Sequence, residues 1–200
     1  MRANLGWVTA DLAVGGDLDV DDDVMAQQLI EILGAGITHV VDLRSEANDA
    51  AIWKQVHVNY RWLGTDDADG HVVPPEIFDA GVRFARLAAC GGGKVLAHCH
   101  MGINRGPSMG FAILLDRGYP PLEAFDMIRA ARPQAFIAYA QDALAAHAAR
   151  QLRQGAQPAN GEQQARLLQA HIDEALTPGT VGRIRHVMRQ AHRRDLGFAA

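Results

Sequence analysis

Ala97-His98-Cys99-His100-Met101-Gly102-Ile103-Asn104-Arg105-Gly106-Pro107-Ser108 is the stretch on which the reading of this chain turns. The run before it, Lys94-Val95-Leu96-Ala97-His98, reads as a short strand, and the strongly apolar Pro107 to Leu115 after it reads as a helix. Six positions separate Cys99 from Arg105, with glycines at 102 and 106. A loop of that length between strand and helix can curl until successive backbone N–H groups point inward. The following helix aims its N-terminus at the same spot, which makes an anion cradle. A cysteine at the start of the cradle sits in a positive field that favours the thiolate, a nucleophile near neutral pH. An arginine at the far end offers a planar fork for two phosphate oxygens, a task lysine's point charge performs less well. Nucleophile, cradle and fork are what transfer of a phosphoryl group to sulfur requires.

Outward from this loop, residues 1–150 alternate short apolar runs with helical patterns. Leu12-Ala13-Val14 and Val40-Val41-Asp42-Leu43 read as strands, and Val56 to Leu63 alternates as strands do. Val24 to Leu33 has helical periodicity, with Asp21, Asp22 and Asp23 where acids favour a helix start and Gly34 or Gly36 to stop it. Pro75 opens a helix with an expected apolar face of Ile77, Phe78, Val82, Phe84, Ala85 and Leu87, ended by Gly91-Gly92-Gly93. Two further helices are expected over 121–131 and from about 135 to 153. This alternation predicts an α/β fold, a mainly parallel central sheet flanked by helices.

Composition bounds the function. The 200 residues are 48% hydrophobic and 21% charged, enough chain to form a core without a disulfide or metal staple. The net charge of −4 disfavours bulk nucleic-acid binding, and the two cysteines cannot build a disulfide framework, so a reducing, cytoplasmic setting is expected. The opening residues lack the apolar core of a signal peptide, and no stretch approaches the ~18 apolar residues of a membrane span. Charge is uneven. Residues 1–150 hold 12 basic and 19 acidic side chains, whereas 151–200 hold 7 and 4. The turn-rich Gly155-Ala156-Gln157-Pro158-Ala159-Asn160-Gly161 between them reads as a linker, giving a catalytic domain over 1–154 and a helical, basic extension over 155–200. In the extension, Val181, Ile184, Val187, Met188 and Ala191 share a helix face, with Arg183, Arg185, Arg189, Arg193 and Arg194 around it. That helix is expected to pack on the acidic body or to bind a partner.

The pattern His98-Cys99-x-x-Gly102-x-x-Arg105 resembles the signature of the cysteine-dependent protein tyrosine phosphatase superfamily, and the compact length resembles its dual-specificity branch. Val40-Val41-Asp42-Leu43-Arg44 and Arg129-Ala130-Ala131-Arg132-Pro133 are similar to other family segments, so the resemblance covers roughly residues 5–150. It implies hydrolysis of phosphate monoesters on a phosphorylated protein or a small substrate, without a cofactor. It makes Cys99 the nucleophile that carries phosphocysteine, and has Arg105 and the amides of His100, Met101, Gly102, Ile103 and Asn104 hold the phosphoryl oxygens. His98 supports the loop. The family's acid lies on a loop upstream of the cysteine. Asp67 stands 32 positions before Cys99 within Thr65-Asp66-Asp67, and is the first candidate; Asp69 and Asp66 are the others.

The chain departs from the pattern at Gly106, where the family usually has the serine or threonine whose hydroxyl eases loss of the thiolate. Slow breakdown of the intermediate is the expectation. A serine at this position is expected to speed it, unless the backbone at Gly106 has a positive φ that serine disfavours, in which case it damages the loop. Two alternatives stay open: a phosphate-binding adaptor with impaired turnover, and an RNA 5′-triphosphatase-like enzyme, suggested by Gly102-Ile103-Asn104-Arg105. A metal site at His98-Cys99-His100 is disfavoured because neighbours on a strand point to opposite faces. The alternating Asp17, Asp19, Asp21 and Asp23 fail as a calcium loop, with Asp22 where glycine is needed and Gln28 where glutamate is needed. Cys90 is expected as a core-packed thiol at a helix end, with a reversible disulfide to Cys99 left open.

Overall fold

The structure is a computed structural model that describes residues 3–156 and 160–195. The middle of the expected linker, 157–159, lies outside the described residues, as do the side chains of Ala191, Arg193 and Arg194. In chain order the elements are β1 (Leu5–Trp7), β2 (Leu12–Gly15), α1 (Asp22–Gly34), β3 (Ile37–Arg44), α2 (Ala50–Gln55), β4 (Asn59–Thr65) and α3 (Pro75–Cys90). They continue with β5 (Lys94–His98), α4 (Arg105–Asp116), α5 (Pro121–Ala131), α6 (Ala140–Arg153), α7 (Gly161–Ala175) and α8 (Pro178–Asp195). The sheet runs β1-β2-β5-β3-β4, parallel throughout except for β1, which pairs antiparallel with β2 at one edge.

The central strands are apolar on both faces because helices cover both faces. Leu12, Val14, Val41, Val95 and Ala97 point into the larger core with α3 to α6, while Ala13, Val40 and Leu96 meet Ile32 of α1 and Trp53 of α2. Asp21 caps α1 by accepting from the amides of Asp23 and Val24, the role its place before the acidic turn gives it. Helix α4 is buried along its whole length from Arg105 to Leu115, which explains an apolar run with no polar face. It contacts β2, β3 and β5 on one side and α3, α5 and α6 on the others. Each fully buried Leu, Phe or Met here contributes about 1.5–3 kcal/mol, the main stabilising term.

Several expectations are corrected. The strand expected from Val56 begins at Asn59, because the preceding residues close α2, a helix of six residues too short to show a period. The helix expected from about 135 begins at Ala140, and 132–139 is a loop held against the segment after β5. Leu87 is 68% exposed, since the inner face of α3 runs through Phe78, Gly81, Val82, Ala85 and Ala88. Gly81 belongs to that face because a Cβ there would strike Met109 of α4. Cys90 is exposed, not packed in the core, and lies at the opposite end of β5 from Cys99, which rules out their disulfide in this fold.

Helix α7 packs on α5 and α6, and its Leu168 is fully buried in the same core cluster. His171 of α7 pairs with Asp126 at 2.7 Å. Among the described residues no helix is long and apolar enough to cross a membrane. Four parallel strands end on one edge of the sheet, and their carboxyl ends deliver Asp17, Glu46, Asp67 and Cys99 to the same region.

Candidate active site

The segment from Cys99 to Arg105 joins β5 to α4, and its carbonyls are tied down from outside one after another. The His100 carbonyl accepts from the Asp17 amide at 2.8 Å. Arg132 donates Nη2 to the Met101 carbonyl at 2.8 Å and Nε to the Gly102 carbonyl at 2.5 Å. The amides of Phe136 and Ile137 donate to the Ile103 carbonyl at 2.9 and 3.1 Å, and the Ser108 amide to the Asn104 carbonyl at 2.8 Å. In a trans peptide the N–H points opposite to the C=O, so carbonyls of 100–103 held from outside the loop leave the amides of 101–104 facing away from those partners. Gly102 makes the curl with φ +64, and a Cβ there would run into the backbone of Gly15. The loop thus has a backbone that can serve as an anion cradle, and α4 begins at its far end, at Arg105. Cys99, 1% exposed, begins the turn, its amide donating to the Gly15 carbonyl at 3.3 Å.

Arg105 is held by a bidentate pair to Glu46, Nη1 to Oε2 at 2.8 Å and Nη2 to Oε1 at 2.7 Å, and by Nη1 to the Thr65 carbonyl at 3.0 Å. Burial works against its charge, but the bonds from Glu46 and the charges of Cys99 and Asp67 outweigh it and hold its pKa above the usual arginine value. The same pair pulls Glu46 down to about 2, with Arg105 as the largest cause. Arg105 Nε is buried without a hydrogen-bond partner, and Asp67 Oδ2 stands 3.5 Å from it. A buried, unsatisfied cationic donor is costly unless an anion completes it.

The three candidate acids separate. Asp67 reaches the cradle, accepting from Tyr139 Oη at 2.8 Å and from Asn104 Nδ2 at 3.1 Å. Asp66 turns to Ser45 Oγ at 2.8 Å. Asp69 is exposed in the turn beyond. The pocket above the loop has a volume of about 310 Å³ and brings Cys99, Arg105, Asp67 and Glu46 together with Met101 and with Met188 of α8.

Beneath the loop lies a polar network that sequence reasoning missed. Asp42, fully buried on β3, accepts from Arg44 Nε at 3.0 Å, from Arg44 Nη2 at 2.6 Å and from Tyr60 Oη at 2.7 Å. Burial alone would raise the Asp42 pKa; the Arg44 hydrogen bonds outweigh it and keep it below the usual value. Arg44 also pairs with Asp17 and Asp49. The Asp17 amide donates to the His100 carbonyl, and the Asp17 carboxylate accepts from the His100 ring at Nδ1, 3.2 Å away. His98 is buried beside this network, Nε2 3.7 Å from Asp42, and burial lowers its pKa against the opposing charge of Asp42. A period-2 strand pattern does not distinguish Asp42 and Arg44 from a solvated pair; only their alternation with Val41 and Leu43 within a doubly covered strand hints at it.

Gly106 occupies the first turn of α4 against β5, where a Cβ would lie 2.9 Å from His98 Cα and 3.0 Å from the Ala97 carbonyl oxygen. The missing hydroxyl therefore has a packing reason. Among the described residues no group of three His, Cys, Asp or Glu side chains is arranged to hold a metal ion.

No protein-family model matches the chain. Human dual specificity protein phosphatase 5 is 29% identical over 97 residues, 48% of this chain and 24% of that protein, so the match spans about a quarter of the relative. PTPMT1 in complex with PI(5)P superposes with a TM-score of 0.63 at 22% identity, covering 75% of this chain and 98% of that one. Human DUSP28 superposes with a TM-score of 0.61 at 21% identity, covering 76% and 97%. Tk-PTP in its active form gives 0.60 at 22%, covering 74% and 97%. These structural likenesses establish a shared fold, and they cover about three quarters of the chain.

Proposed function

We propose, for a chain that resembles the dual-specificity branch of the cysteine-dependent phosphatases and shares their fold, that it hydrolyses phosphate monoesters through Cys99. The observation that supports this reading is that the buried Cys99, the backbone of the loop after β5 and Arg105, whose buried Nε has no hydrogen-bond partner, line one pocket. The Cys99 thiolate attacks phosphorus while the ester P–O bond breaks. The amides of 101–105 and Arg105 stabilise charge on the three non-bridging oxygens. Asp67 gives its proton to the departing oxygen, then as carboxylate takes one from the water that attacks phosphocysteine. The P–S bond breaks, the thiolate returns and inorganic phosphate leaves.

Phosphotyrosine and phosphoserine or phosphothreonine in proteins are the proposed substrates, with residues 1–154 as the catalytic domain, 155–200 as its extension, and the cytoplasm as the place of action. Turnover of an aryl phosphate by the wild-type chain and by Cys99→Ser tests the reading. Continuous turnover that a chelator leaves intact, with binding but no turnover in Cys99→Ser, is expected, because a serine hydroxyl is barely ionised at neutral pH. Turnover retained in Cys99→Ser, or abolished by the chelator, would overturn it. Product that stops at one equivalent per site would favour the adaptor.

A further inference from the structure

Helix α8 reaches the pocket of the phosphatase-like body. Its inward stripe runs Val181, Ile184 and Met188; Ile184 is 4% exposed, Val181 and Met188 are half-buried, and Val187 on the expected face is instead exposed. Met188 lines the same cavity as Cys99 and Arg105. The flank next to this stripe is basic. Arg185 stands three positions before Met188, and so beside it on the helix surface, and Arg189 stands four positions after Arg185 on the same flank. Both are exposed, and among the described residues neither has an ion-pair partner. In the body, by contrast, Arg44, Arg86, Arg105, Arg117 and Arg150 each face a carboxylate. Arg183 belongs to the other side of α8, near Arg129 of α5, whose pKa burial lowers and the Arg183 charge lowers further.

We propose that Arg185 and Arg189 form an anion-recognition flank of this pocket, which binds carboxylates close in sequence to the phosphorylated residue of a protein substrate. The proposal rests on the phosphatase reading of the site and adds the substrate class to it: proteins phosphorylated within acidic segments. The body alone repels such a segment. Residues 1–150 carry 12 basic against 19 acidic side chains, Glu46 and Asp67 line the pocket, and the loop of Asp67 also holds Asp66 and Asp69. The two arginines reverse the sign of the charge on one side of the mouth. Being unpaired in the free chain, they have no internal ion pair to break before taking up a carboxylate, and their planar forks suit it. An anionic membrane fits this flank less well. An interfacial helix lays its apolar face into the bilayer, whereas here that stripe is turned inward, with Ile184 buried.

Steady-state kinetics of the full chain on matched phosphotyrosyl peptides test this. One peptide carries glutamates on both sides of the phosphorylated residue and the other carries glutamines; a small aryl phosphate with no flanks is the control. Wild type is expected to favour the glutamate peptide about fivefold, chiefly through KM, and to lose that preference as ionic strength rises. Arg185→Gln/Arg189→Gln is expected to abolish or reverse the preference while turning over the aryl phosphate as before, which also shows that its pocket is intact. Arg185→Lys/Arg189→Lys, which keeps the charge, is expected to retain most of the preference. No preference in wild type, a preference that survives in Arg185→Gln/Arg189→Gln, or an equal loss on all three substrates would overturn the role of the arginines and leave the phosphatase reading standing. Arginine-dependent binding to phosphatidylserine vesicles without any preference between the peptides would do the same, and would assign the flank to a membrane. Absence of turnover by wild type on all three substrates would overturn both.

Discussion

Tyr139 and Asn104 hold the carboxylate of Asp67 beside the loop by hydrogen bonds. Burial followed by the Asp67 carboxylate raises the Tyr139 pKa, so the phenol stays a hydrogen-bond donor through the working pH range. Tyr139→Phe keeps the ring and removes that donor. Turnover of alkyl phosphates is expected to fall about tenfold, because their leaving oxygen depends on a positioned proton, with a smaller loss on aryl phosphates of acidic phenols. Equal losses on both kinds of ester would show a merely structural effect. Glu46 offers a second test. Its pKa falls from 4.5 to about 2 on folding, so its pairing with Arg105 contributes stability above pH 4.5 that is lost as pH drops through about 2. Glu46→Gln is expected to lower the urea midpoint near neutral pH and to match wild type near pH 2, and a difference that persists at pH 2 would contradict this. The signature residues Cys99 and Arg105 were legible in the sequence because their spacing is fixed by one loop. Tyr139 and Glu46 were not, because nothing local to either residue records that the other strands end beside it.

Helix α4 illustrates how an element answers to what it packs against. Its first turn lies so close to β5 that Gly106 cannot carry a Cβ without displacing the His98 backbone. The expectation that Gly106→Ser speeds breakdown of the intermediate is therefore replaced. Overpacking of this kind costs about 1–3 kcal/mol, and Gly106→Ser is expected to lower the unfolding midpoint and weaken phosphate binding. Faster steady-state turnover with undiminished stability would contradict this. Strands β2, β3 and β5 were readable from their apolar runs, and α1, α3 and α5 from their period and their acidic or proline starts. The loop over 132–139 was not, since Ala135, Phe136 and Ile137 continue an apolar pattern. Their amides are diverted to the Arg132 and Ile103 carbonyls, which holds the loop and delays α6 to Ala140.

On the scale of the whole molecule, the acidic body and the basic extension share one core. Leu168 of α7 joins the cluster that includes Phe125 of α5 and Leu144 of α6, so Leu168→Ala is expected to cost about 2–5 kcal/mol in a single unfolding transition. Two transitions, with only one displaced by the substitution, would mean that the extension folds apart. The opposite charges of the two segments were visible in composition, but not which face of α8 turns inward or that its Met188 lines the pocket of Cys99. The central claim is a covalent one, that Cys99 carries the phosphoryl group between two steps. Rapid mixing of the chain with an aryl phosphate, acid quenching and mass analysis of the peptides tests it directly. With no hydroxyl at Gly106 to ease loss of the thiolate, phosphocysteine is expected to accumulate towards one equivalent, on the peptide holding Cys99 and absent from Cys99→Ser. Steady turnover with no phosphoryl group on that peptide, or a phosphoryl group on another residue, would contradict the account.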